Sequence, residues 1–203
     1  MDFSSNNKSE IFFVDGAEAL LNRDQKETLS SAAAHLLESF KIVEEVDVYI
    51  SKVSVLHKLA GAHARAWHMQ PQYNRENHLI CVFVDPEGSL REMIVALAHE
   101  LIHAWQVNRG DLLDMSWKGE DYSQFPYQLQ PWEIEAHGNM EQVAAYYFKD
   151  RHPSSRELQE IRAKTDAACL EIKKIAGNAH LKEKVKKIAK VAGLVGLGAL
   201  LGL

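Results

Sequence analysis

Residues 89–110 read SLREMIVALAHELIHAWQVNRG, and this stretch decides the fold. Leu90, Met93, Ile94, Leu97, Leu101, Ile102 and Trp105 recur at three- and four-residue spacing, the period of a helix with one apolar face. Ser89 and Glu92 form an S-x-x-E capping box, which satisfies backbone amides that the first turn leaves without partners. Gly110 stands where a left-handed helix stop belongs. The spacing predicts a helix over 90–108. Inside it lies His99-Glu100-Leu101-Ile102-His103, the pattern HExxH. Side chains four apart on a helix lie one above the other, so both imidazoles reach a common point. Zinc takes neutral imidazole nitrogen at about 2.0–2.1 Å, and two such ligands one turn apart bracket a tetrahedral ion. Glu100 follows His99 directly, which sets its carboxylate beside a metal rather than on it, the position of a general base. The competing reading is a solvated His-Glu-His surface. The capped, strongly amphipathic context favours the metal.

Working outward, residues 17–40 carry apolar residues at helical spacing after Asp15-Gly16 and predict a helix. VDVYI (46–50) and HLICVFV (78–84) read as strands, the second stopped by Asp85-Pro86 and Gly88. ARAWHMQ (64–70) is a weaker strand candidate, and Pro71 with Asn74 suggests a turn after it. Downstream the pattern is helical. Pro131 suits a first helical position and opens a helix to about Asp150, a third spans roughly 154–176, and 181–203 reads as a fourth. A helix, a small sheet, then helices give an α+β class.

A catalytic zinc site keeps three protein ligands and one open position. The third is sought in Pro131-Trp132-Glu133-Ile134-Glu135-Ala136-His137. Glu133 and His137 are four apart and share a helix face, whereas Glu135 lies about 200° from Glu133 at 3.6 residues per turn. Glu133 is the expected third ligand, and His137 either orients a ligand or replaces Glu133. Glu135 is read as a first-turn acid that complements the helix dipole.

LAHELIHAW followed by PWEIEAH resembles the zincin metallopeptidases of gluzincin type, HExxH…E. The short sheet before the HExxH helix is similar to the minimal zincin core, a layout shared by small SprT-like and related metallopeptidases of bacteria and phages. The resemblance covers roughly residues 42–150. It implies His99 and His103 as ligands, Glu100 as general base and Glu133 as third ligand, with Zn2+ as cofactor and a peptide or protein as substrate. His137 stands where gluzincins usually have Asp, and SprT-like proteins usually use a histidine third ligand, so both remain candidates. The strand at 78–84, bordering the cleft, is the expected edge for pairing with an extended peptide. The alternative function is a non-catalytic scaffold, such as a phage particle component, in which zinc staples two helices.

The other polar and aromatic residues receive plainer readings. Tyr122, Tyr127 and Tyr147 are packing aromatics, and no oxyanion donor is assigned. His63, His68 and His78 sit in or beside strands, while His35, His57, His152 and His180 read as isolated. Cys81 is a core residue. Trp67, Trp105, Trp117 and Trp132 are core anchors.

The 203 residues, 46% hydrophobic and 25% charged, exclude a disordered, collagenous or disulfide-stapled chain. A net charge of −5 leaves no basic stripe for nucleic acid. Two cysteines without CxxC spacing fit a reducing compartment. MDFSSNNKSE lacks the basic and apolar regions of a secretory signal, so a cytoplasmic location is expected, or a virion if the gene is a phage's. Residues 1–176 form the expected zincin-like domain and 177–203 a tail. Residues 181–203 hold five lysines and one glutamate and end in an uncharged run from Val191. Thirteen helical residues span about 20 Å, short of the ~30 Å hydrocarbon core. Gly198 and Gly202 have small-xxx-small spacing, so self-association or membrane-surface contact is expected of the tail.

Overall fold

A computed structural model describes residues 10–13, 17–42, 45–51, 72–74, 79–84, 86, 88–113, 116–122 and 125–176. The candidates at Asp15-Gly16, 64–70 and 177–203, with His57, His63, His68, Trp67, His78 and His180, lie outside those residues, as does the side chain of Cys81. The fold is mixed α/β and mostly helical. Two compact units divide it, residues 1–110 with 140–152, and residues 111–139 with 153–203.

The first unit is built on a four-stranded sheet. Its strands are β1 (Ile11–Phe13), β2 (Glu45–Ile50), β3 (Gln72–Asn74) and β4 (Leu79–Val84), in the order β1-β2-β4-β3. β1 runs parallel to β2 and β2 to β4, while β3 is antiparallel to β4. Val46, Val48 and Ile50 alternate along β2 with the less buried Glu45, Asp47 and Tyr49, and Ile80, Val82 and Val84 are likewise buried on β4. The period of two sends one set of side chains to a single face.

Two helices follow β1: the one-turn α1 (Ala17–Leu20) and the long α2 (Arg23–Phe40). The expected single helix over 17–40 is therefore broken. Asn22 causes the break by acting as N-cap, with its side chain accepting from the Gln25 amide at 2.9 Å and the Gln25 side chain accepting in return from the Asn22 amide. A reciprocal box satisfies two amides that a continuous helix would have bonded internally, so the chain restarts there at little cost. The strand ahead of it was also unforeseen. Because β1 precedes the helix, the sheet begins as a strand–helix–strand crossover, and such a crossover suits parallel neighbours.

α3 (Leu90–Asn108) carries the decisive stretch and matches its expected bounds. The capping box forms, with the Glu92 amide on Ser89 Oγ at 3.2 Å and the Ser89 amide on Glu92 Oε2 at 2.7 Å. The Ser89 backbone amide, with the Ser89 hydroxyl, holds the Glu92 carboxyl below the ordinary carboxylate range. Gly110 takes φ +74°, the left-handed stop. α3 packs on α2 and on β4. Leu97, Ala98, Leu101 and Ile102 are fully or almost fully buried, and Trp105 stacks on Phe40 with ring centroids 4.9 Å apart.

Residues 72–74 overturn one expectation. Instead of a turn they form β3, in register with Leu79–Cys81. β4 is consequently paired on both sides, by β2 and β3, and cannot serve as an edge for an incoming peptide. The outer strands are β1 and β3.

The second unit holds a three-stranded antiparallel sheet of β5 (Leu112–Leu113), β6 (Ser116–Trp117) and β7 (Glu120–Asp121). Lys118 and Gly119 make the β6–β7 turn with φ of +52° and +82°, the double left-handed geometry of a type I′ hairpin. α5 (Ser155–Ala176) belongs to the same unit, and Lys118–Asp166, Lys173–Glu120 and Arg162–Asp111 ion pairs join it to the hairpin region. Cys169 is buried on α5, and burial together with the Asp166 charge pushes its thiol up to about 12. It is an inert core thiol.

α4 (Pro131–Phe148) contributes residues 131–139 to the second unit and 140–148 to the first. It stops two residues short of the expected end. Asp150 has φ +47°, the Asp150 amide bonds Tyr147 O at 2.9 Å and the Arg151 amide bonds Tyr146 O at 3.0 Å. This pair of bonds is a Schellman stop, closed by an aspartate rather than by glycine. Among the described residues, no helix is long and apolar enough to cross a membrane.

Candidate metal centre

In the first unit, α3 places His99 and His103 one turn apart on a buried face. They are 8% and 2% exposed. Their rings meet edge to face, with centroids 4.7 Å apart at 88°, and their Nε2 atoms lie 3.1 Å apart. Two ligands on one tetrahedral zinc at about 2.0–2.1 Å lie about 3.3 Å from each other. The separation of the two nitrogens is close to that span, so the pair fits a shared ion without rebuilding the helix.

Gln106, fully buried, supplies the detail that the sequence reading missed. Its Oε1 lies 2.8 Å from His103 Nδ1. An amide oxygen can only accept, so Nδ1 holds the proton and Nε2 presents its lone pair toward His99. An imidazole held in that tautomer is ready to ligate. A signal was available, since Gln106 is seven residues after His99 and three after His103, on the same face of an otherwise apolar segment.

Glu100 is partly buried, and its Oε1 lies 4.0 Å from His99 Nε2. The carboxylate thus stands next to the imidazole pair without competing for the point where they converge. That position suits a group that exchanges a proton beside an ion.

In the second unit, the opening of α4 sets the other candidates. Gln130 accepts from the Glu133 and Ile134 amides at 3.0 Å each, while its own side-chain amide donates to Phe125 O at 3.2 Å. Glu133 is 1% exposed. His137, one turn on, brings its Nε2 to 3.6 Å from Glu133 Oε2 and keeps a third of its side chain in solvent. The ring of Tyr127 stands edge-on to His137, centroids 6.4 Å apart. Glu133 and His137 therefore share a face, as their spacing implies. Glu135 is buried completely, more deeply than a first-turn acid at the dipole would be, and its backbone oxygen accepts from Asn139 Nδ2 at 2.7 Å.

The remaining candidates fall where packing puts them. Tyr147 OH donates to Thr28 O at 3.4 Å, and Tyr122 is buried with its hydroxyl on Glu120 at 3.3 Å. Burial also raises the Tyr122 hydroxyl above the ordinary phenol range. Trp105, Trp117 and Trp132 are buried anchors. His35 and His152, read as isolated, are instead stacked on each other with centroids 4.4 Å apart. A separation of 117 positions in sequence hides such a contact. Comparison of the chain with protein-family models, with curated proteins and with solved structures finds no match.

Proposed function

We propose that this protein is a zinc-dependent metallopeptidase, with His99 and His103 as metal ligands and Glu100 as general base. The observation that carries the reading is the converging Nε2 pair of His99 and His103 on a buried helix face, with one tautomer set by Gln106. In this reading Glu133 supplies a third ligand from the start of α4, and His137 either orients it or joins the ligand set. The donor types fit, since His99, Glu133 and His137 are imidazole and carboxylate groups of the kind that hold a metal ion.

When bound, zinc supplies a Lewis acid that polarises a carbonyl and makes water a stronger acid. The chain does the rest. Glu100 accepts a proton at its carboxylate and returns it to the leaving amine. Gln106 keeps the His103 ring oriented, so its lone pair is not lost to rotation or to the wrong tautomer. An extended peptide substrate would pair with an outer strand, β1 or β3, since β4 has both edges occupied. Metal analysis of the full chain and peptide cleavage by wild type and Glu100→Gln test the reading together. One zinc per chain with cleavage lost in the variant supports it. Zinc without cleavage of any peptide replaces the enzyme with a scaffold stapled by its metal, and the absence of zinc removes both.

A further inference from the structure

α4 carries two donors rather than one. Glu133 stands in its first turn, where the Glu133 amide donates to Gln130 O at 3.0 Å. His137 follows one turn later on the same face. Their donor atoms, Glu133 Oε2 and His137 Nε2, lie 3.6 Å apart. That distance is long for a hydrogen bond between nitrogen and oxygen, which runs to about 3.2 Å. It is close to the span of about 3.3 Å between two ligands on one tetrahedral zinc. The pair on α3 falls just below the same span, with its Nε2 atoms 3.1 Å apart. Each helix thus presents an i, i+4 pair whose spacing matches one edge of a zinc tetrahedron. His137 is also among the residues whose donor atoms could hold a metal ion, with His99 and Glu133. The four donors differ in how firmly they are held. His99, His103 and Glu133 are 8%, 2% and 1% exposed, whereas His137 keeps a third of its side chain in solvent. His103 has its tautomer fixed by Gln106, while His137 meets only the edge of a ring in Tyr127, with centroids 6.4 Å apart, at its printed aromatic contact.

On the metal reading proposed above, we infer that His137 is a fourth protein ligand, which closes the zinc site at rest and gives way when substrate binds. A tetrahedral ion with four protein donors has no open position, whereas a catalytic site keeps one. Three buried donors, His99, His103 and Glu133, hold the ion, and the half-exposed His137 covers the fourth position. His137 is the ligand that leaves at least cost. Part of its side chain is already in water, and release returns rotamer freedom that ligation had removed. Water or the carbonyl oxygen of a peptide then takes the position that the imidazole gives up. Glu100, with Oε1 4.0 Å from His99 Nε2, keeps its place for proton transfer through this exchange. The consequence is a site regulated by its own substrate, and one in which loss of His137 opens the metal rather than emptying it.

X-ray absorption at the zinc edge, recorded on the zinc-loaded protein, counts the imidazoles bound to the ion and needs no activity. The expected result for the wild type is three imidazoles and one carboxylate. His137→Ala should keep one zinc per chain, show two imidazoles, and lose its zinc to a chelator more readily than the wild type. At matched zinc loading it should cleave peptides faster, because the fourth position is open from the start. Two imidazoles in the wild type overturn the fourth ligand and leave the metal reading standing, even if the variant does not fold. A wild-type chain that takes up no zinc overturns both. A variant that still shows three imidazoles, or that cleaves more slowly than the wild type, overturns the assignment of His137 as the ligand that yields.

Discussion

Two histidine pairs sit in the first unit at nearly the same ring separation, 4.7 Å for His99–His103 and 4.4 Å for His35–His152. What differs is the angle. At 88° the first pair aims both Nε2 atoms at one point 3.1 Å across, where a cation can sit. At 14° the second pair lies flat, and its bonded nitrogens point away to a backbone carbonyl and a hydroxyl. In the proposed reading a cation would bridge the first pair, whereas the second pair offers it no converging lone pairs. The difference teaches that imidazole proximity alone says nothing about metal binding. Ring orientation decides, and it is set by the neighbouring acceptor, Gln106 in one pair and Ser39 with Arg151 in the other.

The largest expected effect comes from deleting one ring of each pair. His103→Ala should abolish stoichiometric zinc binding, since it removes one of the two histidine ligands that the reading places on α3. His152→Ala should leave the zinc content at the wild-type value. Elemental analysis of the two purified variants makes the comparison, and equal zinc in both would erase the distinction between the pairs.

Next in size is Glu100→Gln. The substitution keeps the volume beside His99 and removes the proton acceptor, so zinc content should stay constant while peptide cleavage falls by about 10²–10⁴-fold, the usual scale of general base catalysis. Peptide hydrolysis assays at matched zinc loading read this out. Cleavage retained within tenfold would remove Glu100 from the chemistry.

The supporting residues give a finer contrast. Gln106→Leu leaves His103 Nδ1–H without its acceptor and should weaken zinc binding about 10–100-fold, the scale known for partners that orient ligating histidines. It should also cost about 1–3 kcal/mol of stability, because a buried donor loses its bond. Ser39→Ala should leave zinc affinity unchanged and cost about 1 kcal/mol. Competitive chelator titration and chemical denaturation measure the two quantities.

The smallest effect belongs to a buried carboxyl that is a member of neither pair. Asp47 is 9% exposed on β2, and burial raises its carboxyl above the ordinary range, with the Tyr49 hydroxyl at 3.2 Å opposing the shift. A carboxyl raised in the folded state binds its proton more readily there than in the unfolded chain. Its contribution is therefore present at acid pH and lost as pH rises through the folded value. Asp47→Asn should make the folded protein slightly more stable at pH 7 and change nothing near pH 3. Denaturation midpoints at the two values check the sign.

Legibility followed the length and periodicity of each segment. The helix 90–108 was readable to the residue because its cap, apolar stripe and glycine stop agree, and Pro131 marked the next long helix in the same way. The breaks and short strands were not. Asn22 and Gln25 cap each other inside a run whose apolar spacing continues across the break. Ile11–Phe13 and the polar Gln72–Asn74 are three residues each, too short for alternation to register, and pairing with β2 and β4 defines them. The hairpin at 112–121 had one local cue, Lys118-Gly119, and strands of only two residues. Within the site, the two ligand-type pairs were readable because each is an i, i+4 spacing on one helix. Gln106 was missed because only its spacing from the two histidines marks it, and the His35–His152 stack because it is long-range.

The most direct test of the metal centre is zinc content after the protein is equilibrated with Zn2+ and freed of excess, with His103→Ala carried alongside. The expected result is one zinc per wild-type chain and none in the variant. Wild-type chain that retains no zinc, or a variant that retains as much, would contradict the assignment of the His99–His103 pair as metal ligands.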